Sequence, residues 1–270
     1  MNYKNAVEQK KDFYISVKTK EKLINRILTF ITIFSAIIAL FVYGTVNSYY
    51  SAEVDGRSMS PTINSYYEDG SETKKNEIAY YTTYKTPQKG DIVIIDYEKA
   101  GLSAVDAIKR LIAVGGDTIC YYNGEILING KVLDEPYMDK SYNHLIQTRG
   151  KTYADEWQQN CYNTSKNSFN NFCKAMVESS LSEEYLTNTF KKNYTTDYAN
   201  CIKYNDAIEG YVLTLPENYV YFLGDNRRSS NDCSDFGPIE KKYMLVKVDY
   251  VVPYGTSIFS AIWQSILKMF

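Results

Sequence analysis

A chain of 270 residues, 44% apolar and 23% charged, can hold one large or two small domains of ordinary globular composition. Its net charge of −2 offers no strongly basic surface, which argues against nucleic acid as a partner. Tyrosine is abundant, at 27 residues, and its density in the polar stretch from about 140 to 205 reads as wet surface rather than core.

The first element in chain order is "ILTFITIFSAIIALFVYGTV", 27–46, a run of roughly 20 residues without a charge. A helix of that length crosses a hydrocarbon core. Only scattered Thr and Ser interrupt it, whereas a core helix normally carries a polar stripe. A cleavable signal peptide would have a shorter apolar stretch, a clear small-x-small end and no long polar lead. The run therefore reads as an uncleaved anchor with membrane lipid as its partner, preceded by a segment 1–26. Lys10, Lys11, Lys18, Lys20, Lys22 and Arg26 precede the span, while "NSYYSAEVDG" beyond it has no basic residue before Arg57. The excess of positive charge places the N-terminus in the cytoplasm and the rest outside a cell membrane crossed once.

Residues 47–138 read as β. "EIAYYTTYK" and "DIVIIDYE" are separated by the turn signal "TPQKG", and "AIKRLIAV" is closed by "GGD". In "TICYYNGEILINGKVLDE", Asn123-Gly124 and Asn129-Gly130 separate three strand-like runs, the pattern of type I′ hairpins in a meander. From 139 to 209 the chain turns polar and rich in Asn, Tyr and Lys. It is weakly helical in places, with "SEEYLTNTFKKNY" as one helix candidate capped by Ser182. This reads as an insertion that shares little core with the β domain. Strands resume at "GYVLTLPENYVYFLGDN", within 210–256. The end, 257–270, is an amphipathic helix with Ile258, Phe259, Ile262, Trp263, Ile266, Leu267 and Phe270 at helical spacing. It is too short to span a bilayer and packs on its own domain, or on a membrane surface. The fold class is mainly β: one transmembrane helix, then an extracytoplasmic antiparallel β domain with a polar, partly helical insertion.

The five cysteines are an odd number. Three of them, Cys161, Cys173 and Cys201, fall in the insertion, where one disulfide is expected. No CxxC pair or Cys/His cluster points to a metal, and nothing calls for a cofactor. Ser58 lies in "VDGRSMSPTI", a dozen residues past the apolar run. A Ser-His-Asp triad would have to use His144, whose neighbours "KSYNHLIQ" read as a loop. A buried lysine can replace histidine as a base, because an apolar site disfavours its ammonium form. Lys109 sits inside "AIKRLIAV", and period-two alternation turns Arg110 to the opposite face.

The blocks "GRSMSPTI", "KGDIVII", "IKRLIAVGGDTI" and "GDNRRSSNDCSDFGPI" follow one another behind a single anchor. In that combination the chain resembles the bacterial type I signal peptidases, over about 27–138 and 210–255; 139–209 matches no pattern of that family. The resemblance implies a membrane-anchored serine endopeptidase with a Ser-Lys dyad, which cleaves signal peptides from secretory preproteins after small-x-small motifs. It implies Ser58 as nucleophile, Lys109 as general base and the Ser58 N–H as an oxyanion donor. It implies Ser230 as the serine that orients the lysine, Asp232 as a supporting aspartate and Asp225 as the partner of Arg110. Where the family has Asp-Ser-Arg this chain has "DCS", which leaves Arg227 as the substitute partner of Asp232. Gly56 stands where many Gram-negative-type members carry a second donor hydroxyl, so a serine there is expected to be neutral or helpful. Val54, Met59, Ile108 and the strand residues Ile92 and Ile94 are the expected pocket walls. Two other readings remain: a specialised relative with restricted, pilin-like substrates, and a non-catalytic membrane scaffold presenting the insertion. Ser58 and Lys109 together argue against the scaffold, which needs neither.

Overall fold

The computed structural model describes residues 3–69, 76–178 and 198–267. It falls into two units, Met1–Tyr49 and Tyr50–Phe270. The first is one continuous helix, α1 (Tyr3–Asn47), which begins well before the apolar run and carries it to its end. Within it, Lys18–Asn47 is long and apolar enough to cross a membrane, and none of its apolar window is buried. The few hydroxyls in the span turn back onto the helix: Thr29, Thr32 and Thr45 donate to the carbonyls of Asn25, Leu28 and Phe41. Their polarity is thus spent on the helix's own backbone, and the surface that remains is hydrocarbon.

The second unit is built on two antiparallel sheets. The larger contains β1 (Tyr50–Val54), β2 (Glu77–Tyr81), β3 (Ile92–Ile95), β4 (Ala107–Val114), β10 (Tyr219–Leu223), β11 (Ile239–Glu240) and β12 (Met244–Val252), in the order β1-β2-β12-β3-β4-β10-β11. The smaller contains β5 (Thr118–Tyr122), β6 (Glu125–Ile128), β7 (Lys131–Val132), β8 (Ile202–Asn205) and β9 (Gly210–Thr214), in the order β7-β6-β5-β9-β8. The Asn-Gly turns between β5, β6 and β7 have φ of 49° and 85° at 123–124, and 54° and 74° at 129–130. Positive φ at both central residues is what a type I′ hairpin needs.

Short helices α2 (Tyr66–Asp69), α5 (Cys233–Phe236) and α6 (Ile258–Leu267) flank the sheets, and two longer ones form an inserted pair: α3 (Pro136–Arg149) and α4 (Lys151–Val177). The pair is far more helical than its composition predicts, and it is not a detached appendage. Along α4, Ala154, Trp157, Cys161, Ser165, Phe169, Phe172, Cys173 and Met176 are buried. Apart from the adjacent Phe172 and Cys173 they recur every three or four residues, so one narrow, mostly apolar stripe crosses a helix rich in Asn, Gln and Lys. Phe169, Phe172, Cys173 and Met176 join Val93, Ile95, Leu111, Tyr221 and Phe222 in the main core. The expectation of little shared core is thereby corrected. The boundary at 209 is also too late, since β8 pairs with β9 as the edge of the smaller sheet. His144 lies on α3, not in a loop. None of the five cysteines forms a disulfide, contrary to expectation. The "SEEYLTNTFKKNY" helix lies outside the described residues. On α6, Ile258 and Ala261 are buried while Phe259, Trp263 and Leu267 are exposed, so one side packs down and the other faces out.

Candidate active site

The apolar cluster of Val54, Met59, Ile63, Ala79, Ile94, Val246 and Val248 seats the turn that follows β1. That turn carries Ser58, which is half-buried. Asn64 holds its entry, donating from Nδ2 to the carbonyls of Val54 (2.6 Å) and Gly56 (3.1 Å). Asn226 holds its far side, donating its N–H to the Ser58 carbonyl at 3.0 Å. A Cβ on Gly224 would come within 2.4 Å of that carbonyl and 2.3 Å of Ser230 Oγ, so only glycine lets the three meet. Among the described residues no acceptor takes the Ser58 N–H.

Strand β4 presents its two cations to opposite sides. Lys109 Nζ lies 2.9 Å from Ser58 Oγ and 3.1 Å from the Ile108 carbonyl, with the Tyr97 ring centroid 5.9 Å away. Its side chain is nearly enclosed, and burial lowers the amine from 10.5 to about 8, against the opposing pull of Asp232, Cys233 and Asp225. Arg110 points the other way and makes a two-pronged ion pair with Asp225, at 2.8 and 2.6 Å, under the Tyr137 ring. That partner holds the guanidinium protonated despite its burial. One residue of strand separates an amine poised to lose its proton from a fixed cation.

The supporting residues are arranged differently from expectation in three places. Ser230 Oγ is buried with no partner among the described residues, and Lys109 directs its bonds to Ser58 and Ile108. The close packing of Ser230 against Gly224 occupies the hydroxyl's surroundings instead. Arg227 does not reach Asp232: it pairs with Glu135 and donates to the Gly224 carbonyl. Asp232 needs no cation, since it accepts the Gly224 N–H at 2.8 Å and the Ser234 N–H and hydroxyl at 3.0 and 2.9 Å, capping α5. Ile92 and Ile94 belong to or pack on the apolar cluster and do not line the cleft.

The cleft at Ser58 has a volume of about 280 Å³. Val54, Gly56, Met59, Ile108 and Lys109 line it, as do residues to which the sequence assigned no role: Tyr97, Val105, Asp106 and Asn231. Asn231 was legible only as part of the last block; its carbonyl accepts from the Tyr97 hydroxyl at 3.0 Å. His144 does not line the cleft. A larger cavity, about 430 Å³, lies among β6, β7, α3 and α4, and contains neither Ser58 nor Lys109. Size alone does not mark a site; the smaller cleft is the one that holds a hydroxyl beside a buried amine. Gly56 has φ +85°, and no described residue comes within 4 Å of where a Cβ would stand. The obstacle to a serine there is therefore backbone conformation rather than space.

Comparison with known proteins gives a consistent picture. The family described as signal peptidase, peptidase S26, matches residues 23–253. Signal peptidase I of Streptococcus pneumoniae TIGR4 is 27% identical over 210 residues, 78% of this chain and 85% of that protein. Signal peptidase IB of Staphylococcus aureus Mu50 is 27% identical over 222 residues, 82% of this chain and 85% of that protein. A crystal structure of a signal peptidase I from Enterococcus faecalis V583 is 23% identical and covers 61% of this chain and 98% of that one. Its TM-score of 0.31 adds nothing to the assignment.

Proposed function

The chain belongs to the signal peptidase, peptidase S26, family, and on that premise we propose that Ser58 and Lys109 carry its chemistry. The protein is a membrane-anchored serine endopeptidase that removes signal peptides from secreted preproteins. The observation that carries the residue assignment is the 2.9 Å approach of Lys109 Nζ to Ser58 Oγ, with the amine lowered to about 8.

The neutral amine takes the Ser58 proton as Oγ attacks the scissile carbonyl. The Ser58 N–H faces the developing oxyanion. Collapse expels the amine of the mature protein, which takes the proton from the Lys109 ammonium. Signal peptide remains as an ester on Ser58. Lys109 then takes a proton from a water that attacks the ester, and its ammonium returns that proton to Oγ as the signal peptide leaves with a free carboxyl group. Strand β1 ends the larger sheet and leads directly to the cleft, so an extended preprotein can add along it through main-chain bonds. The apolar walls Val54, Met59 and Ile108 leave room for small side chains beside the scissile bond. The excess of basic residues ahead of the span supports an N-terminus inside and a cleft outside.

Incubating the purified protein in detergent with a panel of preproteins, and sequencing the new N-termini, tests this. A single cut after a small-x-small motif is expected. No cut, or cuts at unrelated sequences, would overturn the reading.

A further inference from the structure

Glu68, on α2, is fully buried, and its two oxygens hold four groups from three segments. Oε1 accepts from Asn226 Nδ2 at 2.7 Å and from Arg57 at 3.5 Å. Oε2 accepts from the Tyr153 hydroxyl at 2.9 Å and lies 3.7 Å from Arg228. Arg57 precedes Ser58. Asn226 binds the Ser58 carbonyl through its N–H and the Arg57 carbonyl through Nδ2, at 3.0 and 3.2 Å. Tyr153 belongs to α4, and Arg228 rests over its ring, 5.6 Å from the centroid.

We propose that Glu68 is a positioning residue through which the inserted helices hold the Ser58 turn in register with Lys109. A carboxylate at 0% exposure is tolerable only with such a full set of donors. Its removal frees Asn226 and Arg57 together, and these flank the Ser58 carbonyl and N–H. The α3–α4 pair is thereby a buttress of the cleft: α3 adds a second tie where Ser141 Oγ meets Thr62 Oγ1 at 3.3 Å, four residues beyond Ser58. The sequence offered no signal for this, because Glu68 lies outside every block that carries the resemblance.

The inference rests on Ser58 as nucleophile, so Ser58→Ala is measured alongside. Full-length protein in detergent is assayed on a peptide spanning a preprotein cleavage site, for wild type, Glu68→Gln, Tyr153→Phe and the double variant. Glu68→Gln is expected to lower kcat about 10–100-fold with KM within about twofold, since small misplacement of a reacting group has effects of that size. The pH midpoint set by Lys109 stays where it is, because Glu68 does not touch the amine, and only the plateau falls. Tyr153→Phe is expected to cost a few-fold, about the worth of one hydrogen bond. The double variant falls no further than Glu68→Gln alone. Wild-type kcat in Glu68→Gln, or a kcat loss that only tracks lost folded protein or a moved midpoint, would overturn the proposal. If Glu68→Gln does not fold, Tyr153→Phe decides: reduced kcat with unchanged unfolding supports the proposal, and unchanged kcat rejects it. Residual cleavage by Ser58→Ala at the wild-type rate would instead reject the nucleophile.

Discussion

The cleft and the packing face of α4 bury side chains to a similar degree and for opposite ends. At the cleft a lysine is 5% exposed, and its bonds go to a hydroxyl and a backbone carbonyl rather than to a carboxylate. Nearby, Ser230 Oγ and Asn226 Oδ1 are enclosed without a partner among the described residues, and the turn passes through Gly56 at φ +85°. Along α4, Phe169 and Phe172 are buried as hydrocarbon in the main core. Burial at α4 stabilises the fold. Burial at Lys109 opposes it, because the ammonium form loses its water, and that loss lowers the amine toward the neutral form that the proposed base role requires. Substitutions on the two sides should therefore separate activity from stability.

The largest effect is expected on the cleft side. Ser58→Ala and Lys109→Ala should each remove cleavage by at least about 10³-fold while leaving thermal unfolding near or above the wild-type temperature. Lys109→Arg should be as inactive, since a guanidinium does not release its proton in this range. For wild type, the base form gains as pH rises, so kcat/KM should increase through about pH 8 rather than near 10.5. The substrate's own ionisation is removed from the profile by comparing peptides without titratable groups. Wild-type rates from Lys109→Arg would dissolve the contrast, leaving the cleft without its base.

On the other side, Phe172→Ala removes a ring buried at 1% and should lower stability by about 3–5 kcal/mol, read from denaturant unfolding. Its kcat per folded molecule should change little. Replacing about 145–205 by a linker removes Phe169, Phe172, Cys173 and Met176 from the core together, and cooperative unfolding should be lost. A linker variant that still unfolds cooperatively would show that α4 packs on the sheets without supporting them.

The same contrast explains how far the sequence could be read. A lysine and an arginine inside "AIKRLIAV" stand out because charge is rare in such a strand, and the alternation that separates their faces has a fixed period of two. The hairpins were legible because Asn-Gly states its own turn. On α4 the signal is diluted: eight buried positions lie among 27 mostly polar residues, so composition reads as surface while the stripe supplies core. Supporting contacts were the least legible. Arg227 found Glu135, and Glu68 found Asn226 and Tyr153, at sequence separations of 92, 158 and 85 that no local pattern encodes.

The smallest effect belongs at Gly56, where the two sides of the comparison meet. Among the described residues nothing lies within 4 Å of a Cβ there, but φ +85° penalises any residue other than glycine. Gly56→Ala should cost about 1 kcal/mol of stability from conformation alone. Gly56→Ser should cost about the same, because its backbone penalty is the same. Their ratio of kcat then isolates the hydroxyl. If it reaches the developing oxyanion, serine should exceed alanine by about tenfold or more, since one donor at such a site is worth at least that much. Equal kcat values would mean that the hydroxyl points elsewhere and that the Ser58 N–H acts without help from position 56. Equal stability of alanine and glycine would mean that the turn in the alanine variant relaxes to a negative φ.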